Sequence, residues 1–143
     1  MAFASGEISI RYQWPMGEAE EKFFQTLKAE GALTGARCKR CQRVMVPPRS
    51  FCEECLRHDI EYVRVPSTGV VQTFAESFFS LDGKFLEEPF VVGIIRLDGT
   101  DGGLFHRINP RGQQMKIGTR VRAVLADERQ GSILDIRYFE PVE

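Results

Sequence analysis

Four cysteines are the residues of this 143-residue chain whose spacing most directly implies chemistry. Cys38 and Cys41 form one C-x-x-C, Cys52 and Cys55 another, and ten residues separate the pairs. Two such turns joined by a short hairpin place four thiolates about one point, the tetrahedral shell that Zn2+ accepts. Four thiolates leave no open position for water, so the shell implies one structural zinc and not a catalytic one. The same ligands would hold iron in a rubredoxin-like site, and two disulfides or four free thiols are the other ways to use the pattern.

Other candidate chemistry is sparse. The only histidines are His58, three residues after the last cysteine, and His106, beside Arg107 in an apolar stretch. His58 reads as a residue on or behind the metal shell. His106 reads as a polar surface position on a strand. The chain has no G-x-S-x-G, H-E-x-x-H, phosphate-loop or dinucleotide glycine pattern, so self-contained catalysis is not expected. Binding has better material. Lys39, Arg40, Arg43 and Arg49 surround the cysteines, and are either solvated charge or contacts for a few phosphates, including those of a nucleotide cofactor. Phe78, Phe79, Phe85 and Phe90, with Leu81 and Leu86 among them, form either core and cap or an apolar surface for a partner.

The elements that must position these residues follow from composition and pattern. With 43% hydrophobic and 27% charged residues, the chain is an ordinary globular protein. No apolar run reaches the roughly 20 residues that span a bilayer. The first residues lack a basic-then-apolar leader pattern, and the thiols suit a reducing compartment, so a cytoplasmic protein is expected. Net charge is −1, with residues 37–65 at +3 and each flank at −2. A nucleic-acid binder would show a more basic face.

Residues 1–17 read as an extended arm in which Tyr12 and Trp14 pack on the chain's own surface or on a partner. Glu18–Glu30 predicts a helix, with Glu18, Glu20 and Glu21 in its first turn, Lys28 in its last and Gly31 as the stop. Its apolar stripe is Phe23, Phe24 and Leu27. Gly31–Thr34 then leads directly into the first cysteine turn. Ile60–Val65 alternates as a strand, and Pro66 marks the expected boundary, giving an arm over 1–17, helix plus ribbon over 18–65 and a β-domain over 66–143. Within the last, Val70–Phe79, Phe90–Leu97, Leu104–Ile108, Arg120–Asp127 and Ile133–Phe139 read as strands, with a turn at Leu81–Lys84 and a bend or bulge at Gly93. Five strands in so short a length suit a small closed barrel of the OB type, with Asn109–Gly118 as its irregular insertion. The fold class is therefore mainly β: an N-terminal helix and zinc ribbon followed by a five-stranded OB-fold barrel.

The stretches FFQTLKAEGALTGARCKRCQRVMVPPRSFCEEC, STGVVQTFAESFF, EEPFVVGIIRLDGT and MKIGTRVRAVLAD resemble a family of small acyl-CoA-associated proteins. Its members join a helix, a rubredoxin-like zinc ribbon and a C-terminal OB-fold. The Pro-Pro-Arg before the second cysteine pair and the run PFVVGIIRLDG are the most specific matches. The resemblance covers about Glu18–Val142 and carries metal binding to Cys38, Cys41, Cys52 and Cys55. It implies a non-catalytic subunit of a thiolase-type acyl-CoA acyltransferase complex, whose thiolase-fold partner supplies the catalytic Cys and His. This chain would support assembly and the CoA-ester pocket, with Lys39, Arg40, Arg43 and Arg49 as contacts for CoA phosphates and Phe78, Phe79, Phe85 and Phe90 as the surface for an acyl chain or the partner. The alternatives are a partner of an acyl-CoA hydratase and a single-stranded nucleic-acid-binding OB-fold.

Overall fold

The computed structural model describes residues 6, 9–80 and 82–142. Helix α1 spans Glu18–Glu30, the range the sequence predicts. Its three N-terminal glutamates lie in the first turn, where negative charge complements the helix dipole, and Gly31 ends it at φ 64°, donating its N–H to the Leu27 carbonyl at 3.0 Å. Phe23 and Leu27 are buried, whereas Phe24 is half-buried.

Three strands form the ribbon sheet, β1 (Leu33–Cys38), β2 (Val44–Met45) and β3 (Ile60–Val65), in the antiparallel order β2-β1-β3. β1 was not evident in the sequence. Leu33, Thr34, Gly35 and Ala36 are all buried, so the strand shows no alternation, and its centre is a glycine. A Cβ at Gly35 would sit 2.9 Å from Val44 Cγ1, and this close packing requires the glycine.

Five strands close into the expected barrel: β4 (Thr68–Phe79), β5 (Phe85–Leu97), β6 (Leu104–Ile108), β7 (Arg120–Leu125) and β8 (Ile136–Pro141). The order is β4-β5-β6-β8-β7, closed because β4 pairs along β5 and, at its start, with β7. β6 and β8 meet in parallel at Ile108 and Phe139. This is the OB connectivity, and residues 109–118 form its irregular link.

Several bounds differ from expectation. β4 begins two residues early, at Thr68. β5 begins at Phe85 and runs through Pro89, because β4 and β5 continue past the barrel as a two-stranded hairpin where a proline is tolerated. β7 stops at Leu125. Ile133–Asp135 is a 3-10 turn capped by Ser132, and only then does β8 start. Gly93 is not the bulge. The register slips in β4, between Val71 and Thr73, and Gly93 allows a close approach instead: a Cβ there would lie 2.7 Å from the Thr73 carbonyl.

Burial in β5 alternates cleanly near its end, with Val91, Gly93, Ile95 and Leu97 inside and Phe90, Ile94 and Arg96 outside. The main core joins this inner face to Phe139, Ile108, Val121 and Ile136, and also to Phe23, Leu27, Leu33 and Val46. Helix and ribbon base thus share the barrel's core. Among the described residues, no helix is long and apolar enough to cross a membrane.

Candidate metal centre

The two cysteine turns are built alike. After the first pair, Gln42 takes φ 59° and donates its N–H to the Cys38 carbonyl at 2.8 Å, while the Cys38 N–H donates to the Arg43 carbonyl at 2.9 Å. After the second, Leu56 takes φ 58°, and the same two bonds run from Leu56 to Cys52 and from Cys52 to Arg57, both at 2.8 Å. Each turn therefore carries a non-glycine residue in the left-handed region, a conformation that costs roughly 1–2 kcal/mol without compensation. Nothing in the sequence marked these positions, since glycine is the residue that usually signals them.

The four sulfurs lie within 4.8 Å of one another, with Cys38 and Cys55 Sγ 3.7 Å apart. A ZnS4 tetrahedron with Zn–S bonds near 2.3 Å has edges of about 3.8 Å. A disulfide would need about 2.05 Å. All four thiols are free, so the disulfide alternative is closed and the donor set fits a metal. Cys38 and Cys52 are buried, Cys41 and Cys55 half-buried. The Cys41 N–H points at Cys38 Sγ from 3.4 Å. That bond, with help from the Arg40 N–H and against the opposing effect of burial, holds the Cys38 thiol down to about 7. Contact with the Cys55 sulfur, then burial, pushes the Cys41 thiol up to about 12. Loss of the proton is thus eased at Cys38 and hindered at Cys41, and a cation at the centre would favour the charged form of both.

The ribbon's own small core is made of Ala36, Cys38, Met45 and Cys52, with Cys41, Cys55, Ile60 and Tyr62 against it. Few apolar side chains support this module, which is the circumstance in which a metal substitutes for a core. A clasp ties it to the barrel. The Val44 N–H donates to Asp101 Oδ2 at 2.8 Å, and the Asp101 N–H returns to the Val44 carbonyl at 2.9 Å. Beside it, a Cβ on Gly102 would lie 2.7 Å from the Val46 carbonyl, so the β5–β6 turn seats on the ribbon backbone only as glycine.

The predicted contact residues fall in two places. Around the metal, Lys39 pairs with Asp59 at 3.0 Å, Arg43 with Glu54 at 3.2 Å and Glu53 at 3.7 Å, and Arg49 with Glu53 at 3.8 Å. Arg40 is exposed and forms no ion pair among the described residues. Three of the four predicted cations are thus matched by the ribbon's own carboxylates. Far along the β4–β5 hairpin, Phe78, Phe79, Phe85 and Phe90 are all exposed, so the core-and-cap alternative fails for this set. Phe85 stacks on Phe78 at 6.3 Å and meets Phe79 edge-on at 5.8 Å. Arg107 lies over the Phe90 ring at 5.1 Å. Leu86 is half-buried, and Leu81 lies outside the described residues.

His58 is exposed against Phe51, outside the sulfur cluster. His106 is half-buried, not the surface residue expected from its strand: its ring meets Phe139 edge-on at 5.8 Å. Tyr12 and Trp14 stack on each other at 5.0 Å and remain largely exposed, so they do not pack down onto the chain.

Comparison with known proteins agrees with this architecture. Residues 26–61 match the ChsH2 rubredoxin-like zinc ribbon domain, and residues 62–126 match the ChsH2 C-terminal OB-fold domain. No curated protein matches significantly. A crystal structure of a DUF35-family protein of unknown function from Sulfolobus solfataricus superposes with a TM-score of 0.70 at 26% identity, covering 88% of this chain and 87% of that one. A structure described as an Ltp2-ChsH2(DUF35) aldolase superposes at 0.65 and 20% identity, covering 90% and 98%, a likeness of fold. With both modules matched in sequence and the whole arrangement shared in structure, the chain belongs to the ChsH2-type family, a rubredoxin-like zinc ribbon joined to a C-terminal OB-fold.

Proposed function

We propose that this protein is a non-catalytic, zinc-binding subunit of a complex with a thiolase-fold protein, which makes or breaks a carbon–carbon bond beside a CoA thioester. The partner supplies the Cys and His residues of an acyl-CoA C-acyltransferase site, in the cytoplasm. This chain stabilises the assembly and borders the pocket that receives the CoA ester. The observation that carries the reading is how the chain spends its reactive and apolar groups. All four thiols are drawn into one closed shell, while the aromatic hairpin, with Phe79 at 60% and Phe85 at 69% exposure, is left uncovered. The first occupies every thiol of the chain; the second is unusual for a surface that meets only water. The structural neighbour described as an aldolase pairs a ChsH2 chain with a second named component, which supports a hetero-oligomer and carbon–carbon bond chemistry.

When bound, zinc supplies a fixed tetrahedral crosslink. Cys38, Cys41, Cys52 and Cys55 hold it, and the turn N–H groups support the sulfur charge. Lys39, Arg43 and Arg49 sit in ion pairs of little net strength, whose carboxylates CoA phosphates would replace, and Arg40 would add a guanidinium that has no carboxylate to give up. Co-expression with a thiolase-fold protein encoded alongside tests the proposal. The two chains are expected to co-purify with one zinc per copy of this chain, and thioester cleavage is expected only from the complex. Failure to co-purify, together with partner activity that is unchanged when this chain is omitted, overturns it.

A further inference from the structure

The outer face of the barrel between β4, β5 and β6 carries a second pattern. Strand pairing sets Thr73, Ile94 and Phe105 in one row and Ala75, Val92 and Arg107 in the next, with Ser77 opposite Phe90. Directly opposed residues share a face of the sheet, so these side chains lie together. Phe90, Ile94 and Phe105 are exposed, Phe105 at 64%. Arg96 and Arg107 are the charged residues of the face, and neither forms an ion pair among the described residues. Glu76 and Glu88 share a hollow with Arg107 without closing on it. This contrasts with the ribbon, where Lys39, Arg43 and Arg49 all have carboxylate partners.

We propose that this face is the surface on which the partner subunit docks, its centre receiving Phe105 and Ile94 and its rim presenting carboxylates to Arg96 and Arg107. The assignment rests on the partner reading above and says where contact is made. Phenylalanine and arginine without lysine is the composition of an interface centre, and the small Thr73, Ala75 and Ser77 leave room for incoming side chains. Charge selects the occupant. A second copy laid face to face would set arginine toward arginine. A nucleic-acid strand would meet two cations with Glu76 and Glu88 beside them, a poor match for a polyanion. A protein with an apolar patch and acidic rim satisfies both the exposed rings and the unpaired guanidinium groups.

Full-length zinc-loaded chain and the co-expressed thiolase-fold protein provide the test, by titration calorimetry and gel filtration. Phe105→Glu and Ile94→Glu are expected to weaken association at least about 30-fold, with zinc content and melting temperature unchanged. Ile117→Glu, an exposed apolar site in the link between β6 and β7, serves as the control and is expected to bind as wild type. Arg96→Ala and Arg107→Ala are expected to slow association and flatten its salt dependence. Wild-type binding by Phe105→Glu or Ile94→Glu overturns the docking face and leaves the partner reading standing. No association by the wild-type chain overturns both. Self-association of the chain alone, or binding of a 20-nucleotide single strand, that is lost in Phe105→Glu reassigns the face and overturns the proposal.

Discussion

The ribbon and the barrel solve the same problem by different means. Each is a small β-structure, but the barrel closes on itself and fills its interior with Phe139, Ile95, Ile108 and Val121, whereas half of the ribbon's buried core consists of metal-ligating cysteines. The barrel is held by area removed from water, spread over many residues. Beyond its base, the ribbon is held at one point. A structure of the first kind loses stability in steps as side chains are trimmed; one of the second kind fails at once when its centre is removed.

The largest expected effect is therefore at the metal. Structural zinc contributes about 10–16 kcal/mol of binding free energy in small modules. Chelation, or Cys38→Ala, is expected to abolish amide protection through residues 33–65 while β4–β8 keep theirs. Loss of protection in both regions together would erase the distinction. Next is the barrel core: Phe139→Ala is expected to cost about 3–5 kcal/mol in denaturant unfolding with zinc stoichiometry unchanged.

Acid should separate the two regions further. In the barrel, two bonds from Arg120 at 2.6 and 2.8 Å, then the Thr68 hydroxyl, hold the Asp98 carboxyl down to about 2 from an ordinary 3.8. A depressed folded pKa gives stability that is full above the ordinary value and fades as pH falls toward 2. Glu140, buried at 2% exposure, is likewise held below its usual range, chiefly by Arg122 with Arg111 assisting. In the ribbon, protons compete with zinc for thiolates of much higher intrinsic pKa. Amide exchange followed from pH 7 downward should show the ribbon opening first and the barrel weakening only below about pH 4. Simultaneous loss would contradict the separation. The smallest effect is local: Leu56→Gly relieves a left-handed non-glycine residue and is expected to raise zinc affinity by up to about 5-fold in a competition assay.

How much of this was legible in the sequence also divides along the same line. The metal shell was plain because cysteine spacing is a local code, and α1 was plain because Glu18–Glu21 and Gly31 mark its ends. β3 and β6 had the alternation or apolar density of strands. β1 was hidden because burial on both faces removes alternation, and the extension of β5 to Phe85 was hidden by Pro89, which is tolerated only because the hairpin has left the barrel. Phe78, Phe79 and Phe85 are exposed because the hairpin has left the barrel, and His106 is half-buried because its pairing with Gly93 puts it on the inner face of the sheet. The left-handed Gln42 and Leu56 were invisible because neither is glycine.

The pair of bonds between Asp101 and Val44 has a further consequence. With Gly102 pressed on Val46 and the helix sharing the barrel's core, the two modules behave as the jaws of a fixed caliper. The distance between the ribbon's surface and the barrel's outer face is set when the chain folds. A partner that touches both jaws meets them already spaced, and the rotational freedom of one against the other has no further entropy to lose on binding.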